Sequence, residues 1–122
     1  MWKTNHLQDL TEQVKEAMGY DFPVKVITED NAQLLGDLDF MSAIYIQSIL
    51  QNEDIIASIG YGEDYDFMII RLQEIQDLTV EELINLLRHE FMHLLTGEDD
   101  NGEMFKIGCQ LSGIPLSGED LV

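Results

Sequence analysis

The sequence predicts an α+β fold: a helix at the start, three or four short strands in the middle and two helices at the end. The helices are expected on one face of a small, mostly antiparallel sheet. Three observations predict this. Apolar residues recur at helical spacing near the start, short apolar runs separated by turn residues fill the middle, and a helix with a marked start and stop follows. The 122 residues suit a single domain, 1–122, and a hydrophobic content of 45% is enough to fill one modest core.

Leu7, Leu10, Val14, Ala17 and Met18 make the stripe of a first helix from about Thr4 to Met18, with Gly19 as its C-cap and Pro23 beyond its end. Val24 to Thr28 is short and β-branched, which predicts a strand. Glu29 to Asp37 reads as a loop or a short helix. Phe40 to Ser48 (FMSAIYIQS) is apolar enough for a strand, with a helix as the alternative because of its Met, Ala and Gln. Gln51 to Asp54 is a turn, Ile55 to Ile59 another strand, and Gly60 to Asp64 a flexible connection. Phe67 to Leu72 (FMIIRL) is the most strand-like run in the chain.

Thr79-Val80-Glu81-Glu82 is a capping box: the Thr79 hydroxyl can accept from the Glu82 N–H while the Glu82 carboxylate reaches back to the Thr79 N–H. Leu83, Leu86, Leu87, Phe91 and Leu94 supply the apolar stripe of the helix that follows, and Gly97 stops it. A last helix is predicted from Gly102 or Glu103 to Ser112, ended by Gly113-Ile114-Pro115.

That capped helix carries His89-Glu90-Phe91-Met92-His93, an H-E-x-x-H motif. On a helix the two histidines share one face, about 6 Å apart along the axis at about 1.5 Å per residue. Imidazoles so placed can grip one zinc ion, with Glu90 beside it as the general base. The chain has only 3 histidines, and two of them fall at this spacing. The remaining one, His6, begins the first helix and reads as a surface or capping residue. The expected chemistry is hydrolysis of peptide bonds by a zinc-activated water, and the expected cofactor is zinc. A catalytic zinc needs a third protein ligand, and the carboxylates just past the helix are the candidates.

Acidic residues number 24 and basic ones 6, giving a net charge of −18. Such a surface repels phosphate backbones, so direct nucleic-acid binding is not expected; a basic polypeptide substrate would be attracted. The acids are spread along the chain, as befits a folded surface. Cys109 is the only cysteine, so no internal disulfide forms, which fits a reducing compartment. Met1 to His6 leads into polar sequence without an apolar leader core, and no run approaches a membrane span. A cytoplasmic protein is expected.

His89 to Pro115 (HEFMHLLTGEDDNGEMFKIGCQLSGIP) resembles the active-site helix and following helix of zincin-type metallopeptidases, the SprT-like proteins above all. That family shows H-E-x-x-H, a short loop, then H-G-x-x-F opening the next helix. Asn101-Gly102-Glu103-Met104-Phe105 matches the second element except that Asn101 stands where the family has its third ligand, a histidine. Metzincin-type sites are also similar: the last position of H-E-x-x-H-x-x-G-x-x-H or its Asp variant falls on Asp99, with the glycine displaced to Gly97. YbeY-type sites, H-G-x-x-H-L-L-G-Y-D-H, resemble His93-Leu94-Leu95, and with one inserted residue Asp100 takes the last place, although Glu90 replaces that family's glycine. The resemblance covers about the last quarter of the chain. It implies a minimal zincin-like domain, with Asp100 the preferred third ligand and Asp99 or Asn101 the alternatives.

Two other functions fit the residues. One is a non-catalytic zinc-binding pseudoenzyme that keeps His89 and His93 without a competent third ligand. The other is an acidic interaction protein, a nucleic-acid mimic occupying a basic partner's surface, for which the charge of −18 is the support.

Overall fold

Among the described residues eight elements follow one another: α1 (Thr4–Met18), β1 (Val24–Ile27), α2 (Phe40–Leu50), β2 (Ala57–Gly60), β3 (Asp66–Ile70), the single turn α3 (Leu72–Ile75), α4 (Val80–Thr96) and α5 (Glu103–Ser112). The computed structural model describes residues 1–31 and 38–115, so most of the stretch expected to be a loop or short helix between Glu29 and Asp37 lies outside the described residues. The fold is α+β, with α1, α4 and α5 where the sequence puts them.

Among the described residues the sheet is three-stranded in the order β1-β3-β2, and it is mixed rather than mostly antiparallel. β2 pairs antiparallel with β3, while β1 pairs parallel with it, Val24 opposite Asp66 and Ile27 opposite Ile69. A parallel pair needs a crossover, and α2 with β2 provides it. Helices also cover both faces, which corrects the expectation of one. Met68 and Ile70 of β3 pack with Leu7 and Val14 of α1 and with Leu83, Leu87 and Phe91 of α4. The alternate residues Phe67 and Ile69 pack with Ile46, Ile49 and Leu50 of α2. The central strand is therefore buried along its whole length.

The segment read as a strand over Phe40–Ser48 is the helix α2. The Asp39 carboxylate accepts from the Ser42 N–H at 2.9 Å and from its hydroxyl at 2.8 Å, an N-cap that starts the helix. Ile46, Ile49 and Leu50 then point at the sheet, while Phe40, Met41, Ile44 and Tyr45 remain exposed. With apolar residues on both sides, no helical stripe stands out in the sequence. The run Phe67–Leu72 also ends early, at Ile70: the Glu29 carboxylate accepts from the N–H of Leu72 at 2.7 Å and of Gln73 at 3.4 Å, which caps α3 from 43 residues away. The Ile55–Ile59 strand is shifted to Ala57–Gly60. Before it, the buried Arg71 donates to the carbonyls of Leu50 and Ile55, fixing the turn from α2 into β2.

The capping box forms as expected: Thr79 Oγ1 accepts from the Glu82 N–H at 3.1 Å and Glu82 Oε1 from the Thr79 N–H at 3.0 Å. Thr79→Ala should cost about 1 kcal/mol. The denaturant midpoint should fall with an unchanged slope. Among the described residues no helix is long and apolar enough to cross a membrane.

Candidate metal centre

α4 places Leu83, Leu86, Leu87, Phe91 and Leu94 in the core and turns His89, Glu90 and His93 toward a cleft beside β2. His89 and Glu90 are buried and His93 is half-buried. One ligand atom from each lies within 4.8 Å of the others, a group that could hold a metal ion. Gly97, with φ of 69°, turns the chain out of α4 into the loop that brings up the next residues.

The loop makes its three candidate ligands unequal. Asp100 Oδ1 lies 2.8 Å from His93 Nε2 and 3.3 Å from His89 Nε2. The Asp99 carboxylate instead accepts from the Asn101 N–H at 2.8 Å and shapes the loop. Asn101 is exposed and makes no polar contact with either histidine. Glu98, also in the cleft, has its carboxylate accepting from the Phe105 N–H at 2.9 Å, which caps α5. Gly102 is needed beneath it, because a Cβ there would come within 2.5 Å of the Glu98 side chain. His6 is exposed on α1 and takes no part.

Both imidazoles are held from behind. His93 Nδ1 is 2.7 Å from the Glu98 carbonyl, and His89 Nδ1 is 2.9 Å from the Pro115 carbonyl in the turn after α5. A carbonyl only accepts, so each Nδ1 donates to it and each Nε2 faces Asp100. Two imidazole nitrogens and a carboxylate oxygen converge there, donor types that zinc takes. Phe105 stacks on His93 at 4.0 Å and meets His89 edge-on at 5.1 Å, so neither ring can turn freely. Arg88 secures the same C-terminal turn by donating to the Ser112 carbonyl at 2.5 Å.

Glu90 sits beside this cluster. Burial, and then the Asp100 charge, push its carboxyl from 4.5 up to about 8 in the metal-free protein. A glutamate ordinarily ionises well below that when unfolded. Between the two values the folded chain therefore holds more protons than the unfolded chain, and stability falls as pH rises. Thermal melts of metal-free protein between about pH 5 and about pH 8 should show this loss, with a shallower one in Glu90→Gln. Equal slopes would rule the Glu90 contribution out.

The cleft has a volume of about 530 Å³. Its far wall is β2 and the residues before it, from Ile55 to Ile59. The Arg71 N–H bonds to the Ile56 carbonyl, which makes 56/71, 58/69 and 60/67 the hydrogen-bonded pairs of this ladder. The main-chain groups of Ala57 and Ile59 consequently point away from β3, leaving β2 as the exposed edge beside the site. The most strand-like run of the sequence, Phe67–Leu72, supplies the central strand and not this edge, and Phe40–Ser48 is a helix. Phe105 and Pro115 lie within the sequence that carries the zincin resemblance, but only packing gives them their work. Nothing in the sequence marks Ala57 and Ile59. Comparisons with protein-family models, with curated proteins and with solved structures found no match.

Proposed function

We propose that this protein is a zinc-dependent peptidase of the zincin type, with His89, His93 and Asp100 as metal ligands and Glu90 as general base. The convergence of the two Nε2 atoms and Asp100 Oδ1, at 2.8 and 3.3 Å, carries the reading. Ligands each about 2.0–2.1 Å from a tetrahedral zinc lie about 3.3 Å apart, so the donor set fits the ion with a small adjustment. The backbone carbonyls behind both rings are the outer partners that zinc-bound histidines generally have. Zinc, when bound, supplies a Lewis acid that polarises the scissile carbonyl and lowers the pKa of its water to about 7.

The chain's own groups do the rest. Glu90 takes the proton from the attacking water and passes it to the leaving amine. Its dry surroundings raise its basicity, and the metal's charge keeps it ionised for the first transfer. Ala57 N–H and C=O and Ile59 N–H have no partner among the described residues and would hydrogen-bond an extended peptide, adding a strand to β2. Asp54, Glu98, Asp99 and Asp100 line the cleft with no lysine or arginine among its lining residues, which favours basic peptides.

The test is cleavage of unstructured peptides, one lysine-rich and one glutamate-rich, by zinc-loaded and by chelator-treated protein. Zinc-dependent cleavage is expected, faster for the lysine-rich peptide, with an advantage that shrinks from about 0.05 M to about 0.5 M salt. No cleavage by a protein carrying one zinc would favour the pseudoenzyme. Equal rates at every salt concentration would remove the basic preference alone.

A further inference from the structure

One side of α2 presents apolar side chains to solvent. Met41, Ile44 and Tyr45 are 71%, 47% and 39% exposed, although Ile46, Ile49 and Leu50 of the same helix seal the core. A groove of about 470 Å³ runs from this side of α2 over the end of β2, between Met41, Tyr45, Gly60, Tyr61 and Phe67. It is continuous with the metal cleft, sharing Tyr45, Ile59 and Tyr61 with it. Gly60 keeps its floor open: a Cβ there would stand 3.0 Å from the rings of both Phe67 and Tyr45.

The edge of β2 relates the two spaces. Ala57 and Ile59 turn their side chains to the α1 and α4 face, while Ser58 and Gly60 turn to the α2 face beneath Tyr45. A peptide strand added to this edge must alternate in the same way. Side chains on one face enter the cleft with His89, Glu90 and His93; those between them emerge over α2. The Tyr45 hydroxyl already donates to the Ile59 carbonyl at 2.7 Å, so main-chain pairing ends there and the next side chain meets the apolar wall.

We propose that the α2 side of this groove, formed by Met41 and Tyr45, is a specificity wall that takes a large apolar side chain of an extended peptide substrate. This side chain belongs to a position alternating with those that face the metal. The proposal rests on the peptidase reading and adds to it the side chain that selects among peptides. With the acidic cleft, it describes substrates that combine basic residues with an aromatic or long aliphatic residue at strand-alternate positions.

Binding, not cleavage, tests it. Zinc-loaded Glu90→Gln protein is titrated with fluorescein-labelled ten-residue peptides of Gly, Ser and Lys. A guest Phe, Leu, Ser or Glu is moved through the positions, and zinc content is measured separately by native mass spectrometry. Phe or Leu should tighten binding about tenfold over Ser, as expected for partial burial of one large side chain. Pairs of Phe two positions apart should gain more than adjacent pairs. Met41→Ser, a neutral change on the solvent side of α2, should abolish the gain while zinc content stays at one per chain. Equal affinity for all guests, a gain untouched by Met41→Ser, or no peptide binding at all would overturn the wall. Absence of bound zinc would instead overturn the peptidase reading.

Discussion

Asp100→Ala should strip the site of its metal. Native mass spectrometry is expected to find one zinc per chain in the wild type and a drop of at least 100-fold in affinity in this variant. Asp100 Oδ1 is the carboxylate oxygen in contact with both Nε2 atoms, and a first-sphere ligand outweighs the 10–100-fold typical of an outer partner. Asp99→Ala and Asn101→Ala separate this from a general effect of loop charge. Asp99 spends its carboxylate on the Asn101 N–H, and its loss should loosen the loop and weaken binding only a few-fold. Asn101→Ala should bind zinc as the wild type does. Unchanged affinity in Asp100→Ala would move the third ligand elsewhere, with Glu90 the remaining carboxylate of the cluster.

Glu90→Gln should separate metal from catalysis. The amide keeps the size and one acceptor of the buried side chain but cannot carry a proton, so turnover on a lysine-rich peptide should fall by about 10²–10⁴-fold, the range of a general base. Zinc stoichiometry should stay at one. Loss of zinc together with activity would make Glu90 a ligand. Full activity in the variant would end its role as base.

What could be read in advance was local. The histidine spacing, the capping box at Thr79 and the glycine stop at Gly97 each depend on a few neighbouring residues, and each formed as the sequence implies. The third ligand was narrowed to three adjacent positions and no further. Which of them faces the histidines depends on the loop, where the Asp99 carboxylate is drawn to the Asn101 N–H while the neighbouring Glu98 caps α5. α2 resisted reading because its two sides are both apolar. The mixed sheet resisted because a parallel β1–β3 pair depends on a crossover, which no short window reveals. The end of β3 at Ile70 depends on Glu29, and the orientation of His89 on Pro115, partners that lie 43 and 26 residues away along the chain.

The hold of Pro115 on His89 and of Glu98 on His93 ties both imidazoles to the segments that bracket α5. α5 itself is secured by a small group of its own, Met92, Phe105, Cys109 and Ile114, apart from the main core. Such a unit can open while the sheet stays intact, at a cost well below global unfolding. When it opens, Phe105 leaves His93 and Pro115 leaves His89, so the two rings lose their fixed orientation together. Metal exchange should therefore keep time with the undocking of α5, measurable as amide hydrogen exchange along that helix, rather than with denaturation of the whole protein.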